Sequence, residues 1–300
     1  RTLKARGAEK SMKGVILAAG YGSRFLPGSK AIPKEMFPLI DTPAIDLIVQ
    51  EFIDSGITDI LVITSRRKKS LEDYFDREPE LEAVFDGPGG EKKRRLIDPP
   101  KANLFFIRQQ NMAGTGDALL LVEPFVGDAP FVVAYPDDIL LAGPPLAGQL
   151  MAAYERTGKT VLAGQERPDG DISRFGVVDC EPGEGAEQPV RRMVEKPAPG
   201  TEPSRVVAFG RYLYSPEIFD ALRQTRPAAG AGGEFTQTDA INFLAAKGRV
   251  VMQRFEGTLL DVGTPAGYLE ATVEYALTRP EFREGLLAFL RKVVQREGGE

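Results

Sequence analysis

The feature that most constrains the fold is a strand–helix–strand alternation in the N-terminal part of the chain. Residues 14–18 (GVILA) and 59–64 (DILVIT) are short apolar runs typical of buried strands. Between them a helix is predicted to begin at Pro43, and its apolar residues recur on one face: Ile45, Ile48, Val49, Phe52 and Ile53. Because strand, helix and strand follow one another, this segment predicts a parallel sheet with right-handed crossovers.

The ends of that helix and the remaining elements are predicted from similar signals. Asp41 or Thr42 is expected to cap the helix, and Gly56 to end it. Residues 104–107 and 131–135 are continuous apolar runs, which predict strands covered on both faces. Further strands are predicted at 160–164, 175–179, 190–194, 206–214 and 250–255. Further helices are predicted at 216–222, 238–247 and 265–276, and loops at 183–188 and 228–233.

Both ends of the chain differ from this α/β pattern. Residues 1–11 are polar without a clear period, and we expect them to form a flexible N-terminal tail. A last helix is predicted to begin at Pro280, within a C-terminal extension of residues 278–300. Its apolar stripe consists of Phe282, Leu286, Phe289, Leu290 and Val293. A minimal sheet core does not need this stripe, so it packs either on the body of the protein or on another subunit.

Composition and charge exclude several functional classes. The 300 residues carry a net charge of −5, which argues against bulk nucleic-acid binding. The basic stretches 66–69 and 91–95 are therefore interpreted as solvated loops. The chain has no His, which excludes His-based catalysis and imidazole metal sites. It also has one cysteine, Cys180, and neither an apolar run of membrane-spanning length nor a signal peptide, so we expect a cytoplasmic protein without a membrane partner.

A glycine-rich turn after the first strand is the first candidate site. Gly20 and Gly22 let the backbone approach a ligand, and successive N–H groups in such a turn can bind an anion. The cationic residues Arg24, Lys30 and Lys34 follow, as phosphate binding requires. On the glycines alone, a tight turn with a solvated basic edge explains the pattern equally well.

Two familiar phosphate-binding motifs do not fit this turn. A dinucleotide fingerprint needs a third glycine where Phe25 stands, although Asp41 lies at the distance where that motif places an acid. The P-loop pattern of a glycine followed by Lys and Ser or Thr is also absent. An NAD-dependent dehydrogenase is therefore an alternative that the sequence disfavours.

Residues 20–43 read GYGSRFLPGSKAIPKEMFPLIDTP. This segment resembles the signature of the bacterial UTP–glucose-1-phosphate uridylyltransferases, within the sugar nucleotidyltransferase superfamily. Ser23 stands where Thr is more usual, and Gly28-Ser29 replaces a common Ala-Thr. The resemblance extends over residues 12–277, which are expected to form one nucleotidyltransferase domain. It implies an α/β fold with a doubly wound, mostly parallel mixed sheet of Rossmann-like type and a C-terminal helical extension.

The resemblance also implies a nucleotide site. Arg24 and Lys34 would hold the triphosphate, whereas the role of Lys30 stays open. Gln109 would hydrogen-bond the edge of the base, because a site built to do so penalises a base that leaves its polar groups unpaired. Gly114, which precedes Thr115 and Gly116, would offer a backbone N–H to the same base. The remaining residues expected at the nucleotide are Ala18, Ala19, Gly20, Gly22 and Glu35.

Two distant aspartates are the expected metal ligands. Asp137 and Asp138 follow an apolar strand, at the edge where open α/β sheets bind ligands. Out of context they also fit a solvated turn. Mg²⁺ prefers one or two carboxylates together with substrate phosphates. The resemblance selects Asp137 as one ligand and Asp261 as the second, so the two must meet in space.

The sugar side of the site is implied by three further segments. Ser173-Arg174-Phe175-Gly176 resembles the turn that approaches the hexose, so Gly176 is expected there. Glu195 would accept bonds from sugar hydroxyls and Lys196 would hold the sugar phosphate, although the pair alone also fits a surface ion pair. Gly210 and the pair Thr238-Asp239 are expected to complete the wall.

The expected reaction joins UTP and glucose 1-phosphate with release of pyrophosphate, assisted by Mg²⁺. Arg24, Lys34 and Lys196 are the expected catalytic residues. The resemblance and the last helix both favour a homodimer or homotetramer. Three alternatives stay open at this point: a thymidylyl- or cytidylyltransferase, an enzyme for another hexose 1-phosphate, and a non-catalytic nucleotide-sugar binding regulator.

Overall fold

The computed structural model describes residues 11–183, 185–228 and 234–298. Its strands are β1 (Lys13–Leu17), β2 (Pro38–Leu39), β3 (Thr42–Pro43), β4 (Asp59–Thr64), β5 (Asn103–Arg108), β6 (Phe131–Ala134), β7 (Asp138–Ala142), β8 (Thr160–Glu166), β9 (Gly176–Cys180), β10 (Glu187–Glu195), β11 (Val206–Tyr214), β12 (Val250–Arg254) and β13 (Thr258–Asp261). Its α-helices are α1 (Ala44–Asp54), α2 (Lys69–Phe75), α3 (Pro79–Val84), α4 (Glu91–Arg95), α5 (Thr115–Leu120), α6 (Glu123–Val126), α7 (Leu146–Thr157), α8 (Glu217–Thr225), α9 (Thr238–Ala245), α10 (Pro265–Thr278) and α11 (Pro280–Glu297). Short 3₁₀ turns lie at Ser23–Phe25, Gly28–Lys30 and Lys34–Met36.

Among the described residues, nine strands form one sheet in the order β5-β4-β1-β6-β11-β8-β12-β10-β9. The first four of these strands run parallel, with Gly14 of β1 opposite Ile60 of β4 and Val132 of β6. Beyond them β11 is antiparallel to both β6 and β8, whereas β12 is parallel to β8. The predicted mixed α/β sheet is thus confirmed, and its continuous parallel part is built from the N-terminal strands. The expected mostly parallel character holds for this part only, because the later strands bring five antiparallel pairings against four parallel ones in the described sheet.

Helices cover both faces of this sheet, which makes the fold doubly wound. Successive side chains of β1 point to opposite faces, so that Ile16 and Val15 enter different cores. The Ile16 core contains residues of α1, α7 and α10, including Ile48 and Leu150. The Val15 core contains residues of α5, α8 and α9, including Ile241. Each fully buried aliphatic side chain of these cores contributes about 1.5–3 kcal/mol to the free energy of folding.

A small second sheet joins the middle of the chain to its C-terminal part. Strands β7 and β13 are antiparallel, and Asp138 lies opposite Asp261 in their register. The backbone N–H of Val262 continues the contact by donating to the Asp137 carbonyl oxygen at 2.8 Å. Because this pairing is long-range, it decides the position of Asp261 relative to the edge of the main sheet.

The predicted start of the first helix is wrong in detail. Pro43 occupies the N-cap position of α1, and no side chain caps this helix end. The expected cap residue Thr42 is instead part of β3, which pairs with β2, so the chain enters the helix in an extended conformation. Asp41 contacts Arg279 at 3.1 Å and thereby links this segment to the start of α11.

Three predictions about burial and loops are also wrong. Residues 104–107 were expected to be covered on both faces, but β5 is an edge strand and Phe105 is 45% exposed. Residues 91–95 form the helix α4 rather than a loop. Within the basic stretch 66–69, Lys68 is not solvated but 5% exposed, because it forms an ion pair in the interior. Residues 1–10 of the expected N-terminal tail, and residues 184 and 229–233 of the predicted loops, lie outside the described residues.

The last helix begins at Pro280, as its sequence predicts. None of its described residues is buried, and Phe289 and Val294 are 60% and 68% exposed. Of its apolar stripe, Phe282 and Phe289 are exposed and the other three residues are half-buried, so the rest of the chain covers the stripe only in part. In the part of the chain that the structure describes, no helix combines the length and apolar character needed to cross a membrane.

Candidate active site

The candidate site lies at the carboxyl edge of the parallel strands. Strands β1 and β6 are neighbours, so the loops that follow them begin side by side. The loop after β1 carries the glycine turn, and the loop after β6 carries Asp137. Ligands of open α/β sheets bind at this edge. The sheet order therefore brings together the two segments on which the predicted phosphate and metal sites depend.

The glycine turn is held in shape by Gly22. Its φ of 67° is left-handed, a conformation that glycine adopts without strain. The Ser29 hydroxyl donates to the Gly22 carbonyl oxygen at 2.7 Å and closes the turn. A β-carbon on Gly22 would lie 3.5 Å from the Lys34 side chain, so the turn packs directly against that lysine.

Lys34 and Arg24 both contact the opposite wall of the site. Lys34 Nζ lies 2.6 Å from Asp137 Oδ2, and the Arg24 guanidinium donates to the Gly263 carbonyl oxygen at 3.4 Å. Burial lowers the pKa of Lys34, but the charges of Asp137 and Glu35 outweigh it and raise the pKa overall. Burial raises the pKa of Asp137, but Lys34 outweighs it and lowers the pKa overall. Both groups are therefore held in their charged forms.

Asp137 and Asp261 meet beside Gly263. A β-carbon on Gly263 would lie 2.8 Å from Asp137 Oδ2 and 3.0 Å from Asp261 Oδ1, so this position admits no larger residue without displacement. The Gly263 N–H donates to Asp261 Oδ1 at 2.8 Å, and Arg174 lies 2.9 Å from Asp261 Oδ2. The predicted convergence of the two aspartates is thus present in the fold, while their role as metal ligands stays a prediction.

Asp138 does not form the solvated turn that its sequence also allowed. The Gly210 N–H donates to Asp138 Oδ2 at 2.7 Å, and a β-carbon on Gly210 would lie 2.5 Å from that oxygen. Burial, together with the charges of Asp137 and Asp261, raises the pKa of Asp138 to about 7. Asp138 therefore binds β11 and stabilises this wall of the site. Glycine is required at position 210 because β11 comes so close to the Asp138 carboxylate.

A cavity with an empty volume of about 1010 Å³ lies on the Gly20 side of Asp137. Ala19, Gly20, Glu35, Gln109 and Gly114 line it, all of them residues predicted at the nucleotide. Ala18 is buried and directly precedes Ala19 in the chain. Gly22 does not line the cavity, but it packs against Lys34, which does. The predicted nucleotide residues are therefore brought to one place.

Gln109 and Gly114 form the inner end of this cavity. The Gln109 side-chain amide donates to the Gly114 carbonyl oxygen at 3.0 Å, and Gln109 is 6% exposed. Gly114 has a φ of 113°, and a β-carbon there would lie 2.2 Å from the Phe235 carbonyl oxygen. A side chain at Gly114 would thus collide with backbone, which explains the glycine independently of any ligand.

A second cavity, with an empty volume of about 970 Å³, lies on the other side of Asp137. Gly176, Glu195, Lys196 and Gly210 line it, as predicted for the sugar site. Thr238 also lines it, whereas Asp239 is exposed outside the wall, so the expectation for Asp239 is wrong. Asp239 lies on α9 one residue after Thr238, and successive helix residues point in different directions.

Lys196 has an unusual backbone conformation. Its φ of 46° is left-handed, which is uncommon for a residue with a side chain and marks a constrained position. The Lys196 N–H donates to the Phe175 carbonyl oxygen at 3.0 Å, which ties it to the turn before Gly176. Lys196 Nζ lies 3.5 Å from Glu195 Oε1, and its side chain is 57% exposed. The ammonium group therefore stands at the open cavity without a tight ion pair.

The two cavities adjoin and share Thr115, Tyr135, Asp137 and Glu234 as lining residues. Arg24 and Lys196 line the second cavity and Lys34 lines the first, so the three predicted catalytic cations face one continuous cleft. Lys30 lies apart, in a small neighbouring recess, where its carbonyl oxygen accepts from Arg67 at 3.1 Å.

Sequence reasoning missed several contributors to this site. Gly263 follows Asp261 by two residues. This spacing could have predicted that the Gly263 backbone contacts the Asp261 side chain. Arg174, expected near the hexose, does line the second cavity, and it also pairs with Asp261. Arg211 is fully buried, binds Glu51 at 3.0 Å and donates to the Tyr135 carbonyl oxygen at 3.1 Å. Lys68 pairs with Glu35, and no local pattern pointed to either of these long-range pairs.

Comparison with known proteins defines the class of protein first. Residues 13–277 match the family model described as nucleotidyl transferase, and the chain belongs to this family.

Relatives of known name show which nucleotidyl transferases this chain is similar to. The chain is 42% identical to the UTP–glucose-1-phosphate uridylyltransferase of Staphylococcus epidermidis over 290 residues, which cover 95% of the chain and 99% of the relative. It is 40% identical to the enzyme of the same name from Bacillus subtilis (strain 168), over 96% of the chain and 99% of that protein. The resemblance drawn from residues 20–43 is thereby confirmed.

Solved structures agree with these relatives. A UDP-glucose pyrophosphorylase complexed with UDP-glucose is similar with a TM-score of 0.79 and 34% identity, over 90% of this chain and 100% of that one. A UDP-glucose pyrophosphorylase from Acinetobacter baumannii is similar with a TM-score of 0.84 and 31% identity, over 94% and 99% of the two chains. The expected nucleotidyltransferase fold is thereby confirmed.

Proposed function

We propose that this chain transfers a uridylyl group from UTP to glucose 1-phosphate, giving UDP-glucose and pyrophosphate. The observation that carries the proposal is the continuous cleft that Arg24, Lys34 and Lys196 line together with Asp137. Two adjoining cavities suit two phosphorylated molecules placed end to end. The names of the relatives at 40–42% identity and the UDP-glucose bound to a similar structure support the choice of substrates.

The nucleotide is proposed to occupy the cavity between the glycine turn and Gln109. The base reaches the Gln109 amide and the backbone at Gly114, and the triphosphate extends along Gly20 and Gly22 toward Arg24. Arg24 and Lys34 supply the positive charge that the triphosphate requires, since Arg suits bidentate phosphate contacts and Lys acts as a mobile point charge. Lys34 Nζ, 2.6 Å from Asp137, stands where the phosphates arrive.

Glucose 1-phosphate is proposed to occupy the second cavity. Glu195 accepts hydrogen bonds from sugar hydroxyls, while Gly176 and Gly210 leave room for the ring. The exposed ammonium of Lys196 binds the sugar phosphate and holds it against the repulsion of the triphosphate. The left-handed backbone at Lys196, with a φ of 46°, fixes the direction of that side chain.

The residues present fit a Mg²⁺ ion. Asp137 and Asp261 converge beside Gly263, and across the described residues no cluster of three or more acidic or Cys side chains offers an all-protein cage. Mg²⁺ takes one or two carboxylates and completes its shell with substrate phosphates and water, so two aspartates at an open cleft suit it. Asp137 and Asp261 would hold the ion, which would neutralise charge on the phosphates when bound.

The chemistry needs no general base from the protein. A phosphate monoester has a second pKa near 6, so the sugar phosphate is largely dianionic at pH 7. One of its oxygens forms a bond to the α-phosphorus of UTP, and the bond from that phosphorus to the pyrophosphate oxygen breaks in line. Positioning and charge stabilisation dominate such transfers. Lys196 aligns the nucleophile, and Arg24 and Lys34 stabilise the charge that builds on the leaving pyrophosphate.

The test is a panel of four nucleoside triphosphates against several sugar 1-phosphates, with pyrophosphate release as the readout. We expect UTP with glucose 1-phosphate to be used best. A preference for dTTP or CTP, or for another hexose, would replace the proposed substrates within the same class. Binding of a nucleotide sugar without pyrophosphate release in any pair would favour the regulator and contradict the proposed reaction.

We also propose that the chain forms a homodimer or homotetramer through α11. Phe282 and Phe289 of its apolar stripe are exposed, and the other three stripe residues are half-buried. A contiguous apolar stripe on an otherwise polar helix is typical of a protein–protein contact. A second copy of the chain would cover it, because the stripe presents the same surface on both partners, as a two-fold interface requires.

A further inference from the structure

The ion pair of Lys68 and Glu35 lies directly behind the nucleotide cavity. Lys68 Nζ is 2.7 Å from Glu35 Oε1 and donates to the Ala18 carbonyl oxygen at 2.6 Å. The two side chains belong to residues that are 5% and 2% exposed. Lys68 thereby connects three segments: the start of α2, the 3₁₀ turn Lys34–Met36, and the backbone just after β1.

Such a pair is not explained by stability alone. Removing two charges from water costs several kcal/mol for each ion, and apolar residues of similar volume often stabilise a fold as well. Burial lowers the pKa of Lys68, and the attraction of Glu35 opposes that change. An interior ion pair of this kind is better suited to fixing the relative position of the segments it joins.

The segments joined by Lys68 are those that bind the nucleotide in the proposed function. Ala18 is the first residue after β1 and leads into Gly20, and Glu35 directly follows Lys34. Glu35 also lines the nucleotide cavity, and its Oε2 is buried without a hydrogen-bond partner among the described residues. An unpaired buried oxygen is costly, which favours a donor supplied by the ligand.

We propose that Lys68 is a positioning residue for nucleotide binding. It holds the Ala18 carbonyl and Glu35 so that the glycine turn and Lys34 keep their relative positions before UTP arrives. Lys68 acts through these two neighbours and does not itself touch the nucleotide. The inference rests on the proposed function, since it takes UTP to be the occupant of this cavity.

The test compares UTP binding and kinetics in the wild type and in Lys68→Met. Without the ammonium, the turn at Lys34 is released from β1, so UTP must itself order the site, and that ordering reduces its affinity. We expect the Kd of UTP, measured calorimetrically without sugar phosphate, and the KM for UTP to rise by about 10- to 100-fold. The KM for glucose 1-phosphate should stay nearly unchanged, because the sugar cavity lies on the far side of Asp137.

Two further variants separate positioning from stability. Lys68→Met leaves the Glu35 carboxylate buried without its partner, so the double variant Lys68→Met with Glu35→Gln removes that charge as well. We expect the double variant to unfold near the wild-type Tm; it tests stability alone, because Glu35 itself lines the nucleotide cavity. Leu71→Ala is the matched control: Leu71 is fully buried on α2 and does not line the nucleotide cavity. It should lower Tm and leave the Kd of UTP unchanged.

The outcomes are distinguishable. Wild-type UTP affinity in Lys68→Met would overturn the inference and leave the proposed function intact. An equal loss of UTP affinity in Leu71→Ala would also overturn it, because the effect would then follow from general destabilisation of α2. Absence of UTP binding by the wild type would overturn the proposed function and this inference together.

Discussion

At the scale of single residues, the cleft is a set of opposite charges held close together before any substrate is bound. Lys34 lies against Asp137, and Arg174 lies against Asp261. Each predicted metal carboxylate thus already has a cation beside it. Gly263 leaves room for both carboxylates, since a β-carbon there would lie 2.8 Å from Asp137 Oδ2 and 3.0 Å from Asp261 Oδ1, and Gly210 leaves room in the same way for Asp138.

Removal of the Lys196 charge should mainly impair use of the sugar phosphate. Lys196→Asn is the variant of choice, because Asn tolerates the left-handed backbone found at this position. We expect the KM for glucose 1-phosphate to rise by about tenfold or more, as for the loss of one charge-assisted contact worth about 1.5–3 kcal/mol. The KM for UTP and the Tm should change little. Steady-state kinetics with each substrate varied in turn provide the measurement, and equal effects on both KM values would contradict the assignment.

Loss of the Asp137 carboxylate should abolish turnover. Asp137→Ala removes the group that contacts Lys34 and that is proposed to hold Mg²⁺ with Asp261. Pyrophosphate release measured over a series of Mg²⁺ concentrations should stay at background throughout, because added metal cannot replace the missing ligand. Thermal unfolding shows whether the variant is folded. Normal activity in Asp137→Ala would remove the proposed metal site.

Gly210 should not tolerate even one added methyl group. In Gly210→Ala the new β-carbon would lie 2.5 Å from Asp138 Oδ2 and 2.6 Å from the Tyr135 β-carbon. We expect a loss of about 1–3 kcal/mol in unfolding free energy, measured by urea denaturation, as is usual for overpacking. Gly148→Ala is the matched control: it lies in α7 with its nearest contact at 3.6 Å, and helix propensity favours Ala by about 0.5–1 kcal/mol. Equal stability of the two variants would argue against the tight packing at Gly210.

At the scale of secondary-structure elements, long-range pairings place the site. The register of β7 and β13 sets Asp138 opposite Asp261, although the two are 123 positions apart in the sequence. Neighbouring β1 and β6 bring the glycine turn to the same edge. The 3₁₀ turns between β1 and β2 then present Arg24 and Lys34 to the cleft.

The helix α11 should control self-association. Phe289 is 60% exposed on its apolar stripe, and Phe289→Glu would place a charge in the proposed contact. We expect this variant to shift to the monomer mass in light scattering after size-exclusion chromatography, with little change in the unfolding of the body. Glu297→Lys is the control, because it changes the charge of the same helix at a polar position near the end of the helix. A monomeric wild type, or an oligomer unaffected by Phe289→Glu, would contradict the proposal.

At the scale of the whole molecule, two cores on opposite faces of one sheet support a cleft at its carboxyl edge. Both faces are covered by helices, so the parallel strands can be apolar throughout. The polar and charged groups of the site therefore lie in the loops that follow the strands or at strand ends, as Glu195 and Asp261 do. This arrangement keeps the scaffold rigid and leaves binding to the loop residues.

Ligand binding should raise the stability of the entire chain. UTP with Mg²⁺ binds the folded state, and a ligand at about 100 times its Kd adds about 2.7 kcal/mol. We therefore expect UTP to raise Tm, whereas NAD⁺ at the same concentration should leave it unchanged. Gln109→Leu should remove the UTP effect while keeping the fold, because Gln109 lines the cavity at the proposed base position. A Tm increase with NAD⁺ would revive the dehydrogenase alternative.

Local signals in the sequence determined most of the elements. The apolar periodicity of residues 59–64 and 206–214 predicted β4 and β11 with their observed bounds, and Pro280 marked the start of α11. The resemblance of residues 20–43 pointed to the family, and the cations and carboxylates it implied face one cleft. The predictions from sequence were wrong where a tertiary contact or a position in the sheet overrides the local sequence pattern. Asp41 pairs with Arg279 instead of capping α1, and Phe105 lies on an edge strand.

The sequence by itself thus determined the element types, the α/β class and the chemical character of the predicted site, because backbone propensity and apolar spacing act over neighbouring residues. Tertiary structure alone decided which distant groups meet: Asp137 with Asp261 beside Gly263, Lys68 with Glu35, and Arg211 with Glu51. These contacts depend on strand order and on burial. A buried charge must find a partner wherever the fold places one, and that partner has no fixed distance along the chain.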